Sequence, residues 1–584
     1  MSKELATLRE MKDNPPLLSI VICTFNTPPS ILSSTLDSIL KSSYANIEVC
    51  ITDDGSTNQR TIECLRKYKS KNKRLKLDLK ARNSGISEAT NNSLKMCKGK
   101  FIAFIDHDDE ITHDAIEKCV FCLLKNNLDA VYTDQATVNA NRDIIHVFRK
   151  PAWSQEYLRH VMYVGHLLVL KKALTDKVGL FNSKFDGVQD FDYMLRVSEF
   201  TNKIGHIAEV LYYWKAIDGS LAKNPDAKDN ISNLQSLSVQ GHLNRLKIKG
   251  EAAPHTLFAH RCQIKPKLTV KPFVSIIIPT KNALSFIKTS LDSIYDITTY
   301  PNYEVICVDT GTDDAETIDY LEKSRSTVIR FVKPKFNFSA ACNFGARNAN
   351  GDILIFLNND IEILDHDWID RLVLPLQQSK NGISGPLLVY PNNTVQHAGV
   401  VIGPRGTADH AMRYFPCTSD GYAGSLSSSR EVSAVTGACL AIKRNIFNEC
   451  RGFDELYHTH YQDVDLCLKA ISLSLNVIYV ASTKIIHHES ITRGGYYDML
   501  DRMLFIDTWS DYICNGDPYY NHALNLKEID YSLATSEAAT TIFTSRNSFS
   551  HKAKAKLKRL IPKRMLYSSR LSNIKLRIKS LLSA

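Results

Sequence analysis

The sequence predicts an α/β protein in which one doubly wound sheet is built twice along a single chain. Short apolar runs of strand length alternate with amphipathic stretches of helix length. The same residues return in the same order in the second half. Acidic residues gather where the apolar runs end, the rim at which such sheets bind their ligands. A chain of 584 residues is also too long for one core, and 44% apolar with 23% charged residues is the composition of an ordinary folded protein.

The elements follow in order. Residues 17–25 (LLSIVICTF) read as a buried strand and 33–44 as an amphipathic helix. Residues 47–53 (IEVCITD) give the next strand, 59–70 a charged helix, and 99–106 (GKFIAFID) a third strand ending in acid. Such alternation indicates a parallel, doubly wound sheet. Ser19–Asn26 (SIVICTFN) returns as Ser275–Asn282 (SIIIPTKN), and Leu36–Ile39 returns as Leu291–Ile294. Glu48–Asp53 returns as Glu304–Asp309, and Phe101–Asp108 as Ile353–Asp360. Val188–Asp192 returns as Tyr461–Asp465. The expected organisation is an N-terminal extension (1–16), a first domain (17–244), a linker (245–271) and a second domain (272–495). A helical extension (496–545) and a basic amphipathic tail (546–584) follow.

Residues 549–584 hold eleven Lys or Arg and no Asp or Glu, against a net charge of +10 for the whole chain, so the body is near neutral. The charge is therefore a local device, and no nucleic-acid partner is expected. The fourteen cysteines, including the lone Cys119/Cys122 pair, read as reduced core residues of a cytosolic protein. The polar N-terminus lacks an export signal, and no apolar run is long enough to span a bilayer.

Asp106 and Asp108 stand one residue apart at a strand end, where both can reach one site. Hard carboxylate oxygens suit Mg²⁺ or Mn²⁺ held together with substrate phosphates. The second copy reads Asn358-Asn-Asp360, with one carboxylate fewer. Asp53 and Asp54 follow the second strand, with Asp309 and Thr310 as partners; they suit a base or ribose contact, or a turn. Asn83, Gly85, Ala89 and Asn91, and in the second copy Asn337, Ala341 and Asn343, line a cleft or cap a helix. Asp190 and Asp463, each after a glutamine, begin helical stretches; each is a cap or a general base. His206 closes the first copy; His487, His488 and Arg493 close the second, with either histidine a metal ligand and Arg493 a phosphate contact. No Walker loop and no nucleophile elbow is present.

Together these pieces resemble family 2 glycosyltransferases of the GT-A fold. The first copy matches in SIVICTFN, ITDDGS, NSGISEATN, FIDHDDE, GVQDFDYMLRV and VLYYW. The second matches in SIIIPTKN, CVDTGT, FLNNDIE, VTGACLAIKR, GFDE, YQDVDLCLKA and HHESITRGG, and looks like the rhamnosyltransferase branch. Asp517–Asn521 (DPYYN) resembles the ends of multidomain polysaccharide enzymes. The resemblance implies inverting transfer from nucleotide-sugar donors, with Asp53 and Asp309 on the nucleotide. It implies Asp106, Asp108, Asn358 and Asp360 at the metal and diphosphate, and Asp190 and Asp463 as the bases. It further implies a polyprenyl-linked glycan acceptor, as in O-antigen assembly. The basic tail would hold the enzyme to the inner face of the plasma membrane. Three readings stand: two active domains; one active domain with a binding module; or a membrane scaffold.

Overall fold

The computed structural model describes residues 3–216, 225–488 and 499–534. In the first half the strands are β1 (Leu18–Thr24), β2 (Ile47–Asp53), β3 (Leu75–Leu79), β4 (Phe101–Phe104), β5 (Glu110–Ile111), β6 (Ala130–Val138), β7 (Ile144–Phe148), β8 (Leu168–Lys171) and β9 (Ile204–Lys215). They form one sheet in the order β3-β2-β1-β4-β8-β6-β9-β5, with β7 on β6. A hairpin, β10 (Gly250–Pro254) and β11 (Cys262–Pro266), lies between the halves.

In the second half the strands are β12 (Val274–Thr280), β13 (Tyr303–Asp309), β14 (Thr327–Arg330), β15 (Ile353–Leu357), β16 (Ile361–Ile363) and β17 (Asn381–Val389). They continue as β18 (Val395–His397), β19 (Val400–Ile402), β20 (Ala408–His410), β21 (Arg430–Val432), β22 (Cys439–Lys443) and β23 (Asn476–His487). The order β14-β13-β12-β15-β22-β17-β23-β16 repeats the first sheet strand for strand.

The α/β class and the duplication are as expected. Each sheet is wholly parallel on its early side, where β1 pairs β2 and β4, and β12 pairs β13 and β15. From β8 and β22 onward it is mixed, because those strands run antiparallel to β4 and β15. Helices cover both faces, so β1, β2 and β12 are buried almost throughout and read as continuous apolar runs.

The duplication reaches individual hydrogen bonds. Ser19 Oγ donates to Glu48 Oε1 at 2.6 Å while Gly99 N–H donates to Ser19 Oγ at 2.8 Å. Ser275, Glu304 and Gly351 repeat this at 2.6 and 2.7 Å. Both glycines are required: a Cβ at Gly99 or Gly351 would lie 2.6 or 2.5 Å from the backbone nitrogen of Ser19 or Ser275.

The segment expected as an irregular linker carries the β10–β11 ladder, pinned to the first half where Cys262 N–H donates to His160 O at 2.9 Å. The halves are locked face to face. Glu431 on β21 accepts from Ser154 Oγ, Gln155 N (3.1 Å) and Glu156 N (3.2 Å), capping the short helix Gln155–Leu158 of the other half. Tyr157 Oη donates to Ala423 O at 2.6 Å, and Arg149 N donates to Tyr422 Oη at 2.7 Å. Asn521, in the DPYYN segment after the second sheet, donates from Nδ2 to Asp134 Oδ2 (3.0 Å) and Lys150 O (3.1 Å) of the first half. The extension is helical at Met499–Thr508 and Ser510–Asn515, as expected; the basic tail lies outside the described residues.

Candidate active sites

At the end of β4 in the first half, the backbone turns sharply and aims Asp106, Asp108 and Asp109 at one point. Their carboxylate oxygens lie within 4.8 Å of one another. Asp109 is wholly buried, accepting from Tyr212 Oη (2.7 Å) and Lys215 N (2.9 Å). Burial and the charges of Asp106 and Asp108 raise its carboxyl to about 7 despite those bonds.

His166 lies just before β8, with Nε2 3.2 Å from Asp106 Oδ2 and its ring stacked on Tyr212. Burial works against both charges, but their attraction outweighs it: Asp106 is held at about 2 and His166 is lifted to about 9. Burial raises the carboxyl of Asp190, and the His166 charge opposes that rise. Asp190, His166 and the acidic triad are thus within electrostatic reach of one another.

The second half has a cavity of about 1480 Å³ at the matching rim. Asn358, Asp360, His487 and Asp463 all line it. His487 Nε2 is 3.2 Å from Asp360 Oδ1 and 3.3 Å from Asn358 Nδ2. Asp463 Oδ2 accepts from Gly437 N at 2.7 Å, and its Oδ1 accepts from Val464 N at 2.9 Å. A Cβ on Gly437 would press on Asp463 Cβ at 3.3 Å, so the glycine lets the loop approach the carboxylate.

Adjacent strand residues point to opposite faces, and the ladder separates the two histidines. His487 pairs with Ile361 on β16 and turns into the cavity; His488 turns away and meets Glu362 Oε2 at 3.1 Å. The register also separates His206 from His487. Glu110 pairs with Tyr213 and the equivalent Glu362 with Ile486, so Trp214, not His206, holds the register of His487. His206 lies at the start of β9, bound to Asp134 Oδ1 at 2.7 Å and stacked on Tyr132, far along the strand from the acidic rim. Phe104 pairs with Leu168 and Phe356 with Leu440, so His166 corresponds to Ala438. Each half therefore sets an imidazole against its acidic rim, from a different strand.

The remaining candidates sit as follows. Asp53 accepts from Ser56 N (2.9 Å) and Oγ (2.5 Å), and Asp309 accepts from Thr312 N (2.7 Å) and Gly311 N (3.0 Å). Asp54 holds the turn before the helix Ile86–Met96, accepting from Ser84 N and Gly85 N at 2.9 Å each; Asn83 is exposed and accepts from Gly85 N at 3.2 Å. Thr310, the partner of Asp54, donates to Thr280 O at 3.0 Å. Asn91 and Asn343 clip their helices to the backbone of Phe181 and Phe453. Asn337 caps its helix, accepting from Ala340 N at 2.7 Å, and also lines the second cavity. Arg493 lies outside the described residues. His166 and Asp109 were missed by sequence reasoning; the D-H-D-D run exposed Asp109, whereas nothing near His166 marked it.

The first-half triad is an all-oxygen set that fits a hard divalent cation such as Mg²⁺ or Mn²⁺. Asp360, Asn358 and His487 offer a mixed oxygen and nitrogen set, suited to the Mn²⁺ side of that range.

The family model described as glycosyl transferase family 2 matches residues 19–179 and again 275–451. The chain is 34% identical over 556 residues to an uncharacterised protein, y4gI, of Sinorhizobium fredii, covering 92% of this chain and 60% of that one. It is 33% identical over 537 residues to the O-antigen biosynthesis protein RfbC of Myxococcus xanthus, covering 89% of this chain and 41% of that one. The chain thus spans about half the length of these relatives. Among solved structures, Staphylococcus aureus TarS 1–349 in complex with UDP-GlcNAc aligns at 20% identity and a TM-score of 0.33, covering 38% of this chain and 66% of that one.

Proposed function

The chain belongs to glycosyl transferase family 2, and from that premise we propose that it is an inverting enzyme with two active halves. Each would move a sugar from a nucleotide-sugar donor to a growing, lipid-linked surface polysaccharide of the O-antigen kind. The observation that carries this reading is the convergence of Asn358, Asp360, His487 and Asp463 on one cavity, with an acidic triad, His166 and Asp190 gathered in the first half.

In this reading Asp463 takes the proton of the acceptor hydroxyl as that oxygen attacks the anomeric carbon. Gly437 N–H and Val464 N–H hold its carboxylate in place through both oxygens. Asp190 does the same in the first half. Asp53 and Asp309 anchor the turns that receive the nucleotide. Asp106, Asp108 and Asp109 in the first half, and Asp360 with His487 in the second, would hold Mg²⁺ or Mn²⁺, which would supply positive charge against that of a departing diphosphate. The basic tail, residues 546–584, docks on an anionic bilayer at the cytoplasmic face. No helix among the described residues is long and apolar enough to cross a membrane.

A second reading, one catalytic half and one binding half, is favoured by Trp214 standing where the second half has His487. The two are separated by incubating the full chain with a panel of UDP- and dTDP-sugars, with Mn²⁺ or chelator, and measuring released nucleoside diphosphate. Two donors consumed supports two active halves. One donor, lost on a single substitution, supports the second reading, and none consumed contradicts both.

A further inference from the structure

Between the strands that match β7 and β8, the second half has residues 398–438 where the first has only 149–167. The added chain folds partly into a separate two-stranded sheet, β19–β20, that walls the second cavity. Two polar side chains lining this cavity, one on β18 and one on β20, have no role in the transfer described above. Gln396 is 3% exposed and lines the cavity, and its Oε1 has no hydrogen-bond partner among the described residues. His410, at the end of β20, lines the cavity with the wholly buried His397 behind it.

The hydrogen bonds dictate which nitrogen of His410 carries its proton. Gly399 N–H donates to His397 Nε2 at 3.4 Å, so the proton of His397 sits on Nδ1. His397 Nδ1 lies 2.9 Å from His410 Nδ1 and donates to it. The proton of His410 is thereby left on Nε2. Both rings stay neutral, since burial, aided by Arg430, Arg413 and His487, takes His397 down to about 3 and moves His410 in the same direction. Gly399 has a positive φ of 92°, and a Cβ there would lie 2.8 Å from Val432 Cγ1. The loop that orients His397 therefore requires glycine.

A neutral N–H donor and an unpaired amide oxygen lining the same cavity match carbohydrate hydroxyls, which both donate and accept. We propose that this wall is the acceptor-sugar subsite of the second half: His410 Nε2–H donates to one hydroxyl, Gln396 Oε1 accepts from another, and His397 is the positioning residue. The proposal rests on the transfer reading above. It places the acceptor, not the donor, on this wall because β18 and the added strand β20 lie outside β12, β13 and β15, whose ends carry Thr280, Asp309 and Asn358.

The test uses the full chain carrying Asp190→Asn, so that turnover reports the second half. Donors are UDP-GlcNAc, UDP-glucose, UDP-galactose and dTDP-rhamnose; acceptors are p-nitrophenyl glycosides of glucose, galactose and rhamnose. His410→Ala is expected to raise the acceptor KM about tenfold, the worth of one net hydrogen bond, with the donor KM within twofold of the parent. His410→Gln, which restores an N–H donor at similar reach, is expected to recover most of that loss. His397→Phe is expected to mimic His410→Ala, and His397→Asn, with an amide donor near the Nδ1 position, to be rescued. If His410→Ala misfolds by thermal melt, the Gln and His397 variants carry the comparison. An unchanged acceptor KM, a rise in donor KM instead, or nucleotide release with no glycoside bound or glycosylated overturns the subsite. Failure of the parent to release nucleotide from any donor overturns the transfer reading instead.

Discussion

Substituting His487 and His488 one at a time separates two neighbouring residues that the sequence leaves equivalent. His487 Nε2 approaches Asp360 Oδ1 at 3.2 Å and Asn358 Nδ2 at 3.3 Å, and its ring lines the cavity. His488 pairs with Glu362 at 3.1 Å, both partners being about a third exposed. A group that ligates or orients a ligating carboxylate is worth roughly 10- to 100-fold in metal affinity, or about 1–3 kcal/mol. A surface ion pair is worth about 0–1 kcal/mol. His487→Ala should therefore shift the Mn²⁺ concentration for half-maximal nucleotide release upward by roughly 10- to 100-fold. His488→Ala should shift it less than threefold, or about half a kcal/mol. The assay is nucleoside diphosphate release against Mn²⁺ in the Asp190→Asn background. A larger effect at His488, or equal effects at both, would refute the strand-register reasoning.

Three other outcomes are expected. Asp109 sits near pH 7 in the folded protein against an ordinary value of 3.8, so the folded chain keeps a proton there that the unfolded chain has lost. Without metal, stability should fall as pH rises toward and through 7. Asp109→Asn should flatten that fall by a few kcal/mol; an undiminished fall in urea midpoints between pH 5 and 8 counts against it. Asn521→Ala removes the amide that donates to both carboxylate oxygens of Asp134 and to Lys150 O in the first half. It should cost about 2–3 kcal/mol and lower the unfolding midpoint of the first half, read by hydrogen exchange at β6, although residue 521 follows the second sheet. Protection lost only in the second half would argue against the interlock. His166→Ala should weaken nucleotide release by the first half at least tenfold, while His206→Ala, which removes one of several partners of Asp134, should act on stability alone; the reverse pattern would contradict the assignment.

The duplicated sheets were legible because buried strands leave continuous apolar runs, and the acidic rim because carboxylates sat where those runs stopped. Asp106, Asp108 and Asp360 needed only that logic, and Asp463 needed the repeat that matches it to Asp190. His166 was not legible. It precedes β8, which runs antiparallel to β4, and only the ladder brings it within 3.2 Å of Asp106. The register of Trp214 was not legible either: β9 is a twelve-residue strand whose pairing with β6 slips twice, so counting along the sequence does not give it. The β10–β11 hairpin was hidden because its alternation is weak and its residues are half-buried. Both cap and cleft readings fitted Asn91 and Asn343, and only the fold shows the bonds to Phe181 and Phe453 by which they clip helix to loop.

The central claim is that two carboxylates, one in each half, act as separate bases. It is tested by the full-length chain carrying Asp190→Asn, Asp463→Asn or both, supplied with the donors identified by nucleotide release, its products resolved by mass spectrometry. Each single variant should lose one sugar addition by about 10²- to 10⁴-fold and retain the other, and the double variant should make neither. A chain that adds both sugars at the parent rate with both aspartates replaced contradicts the account.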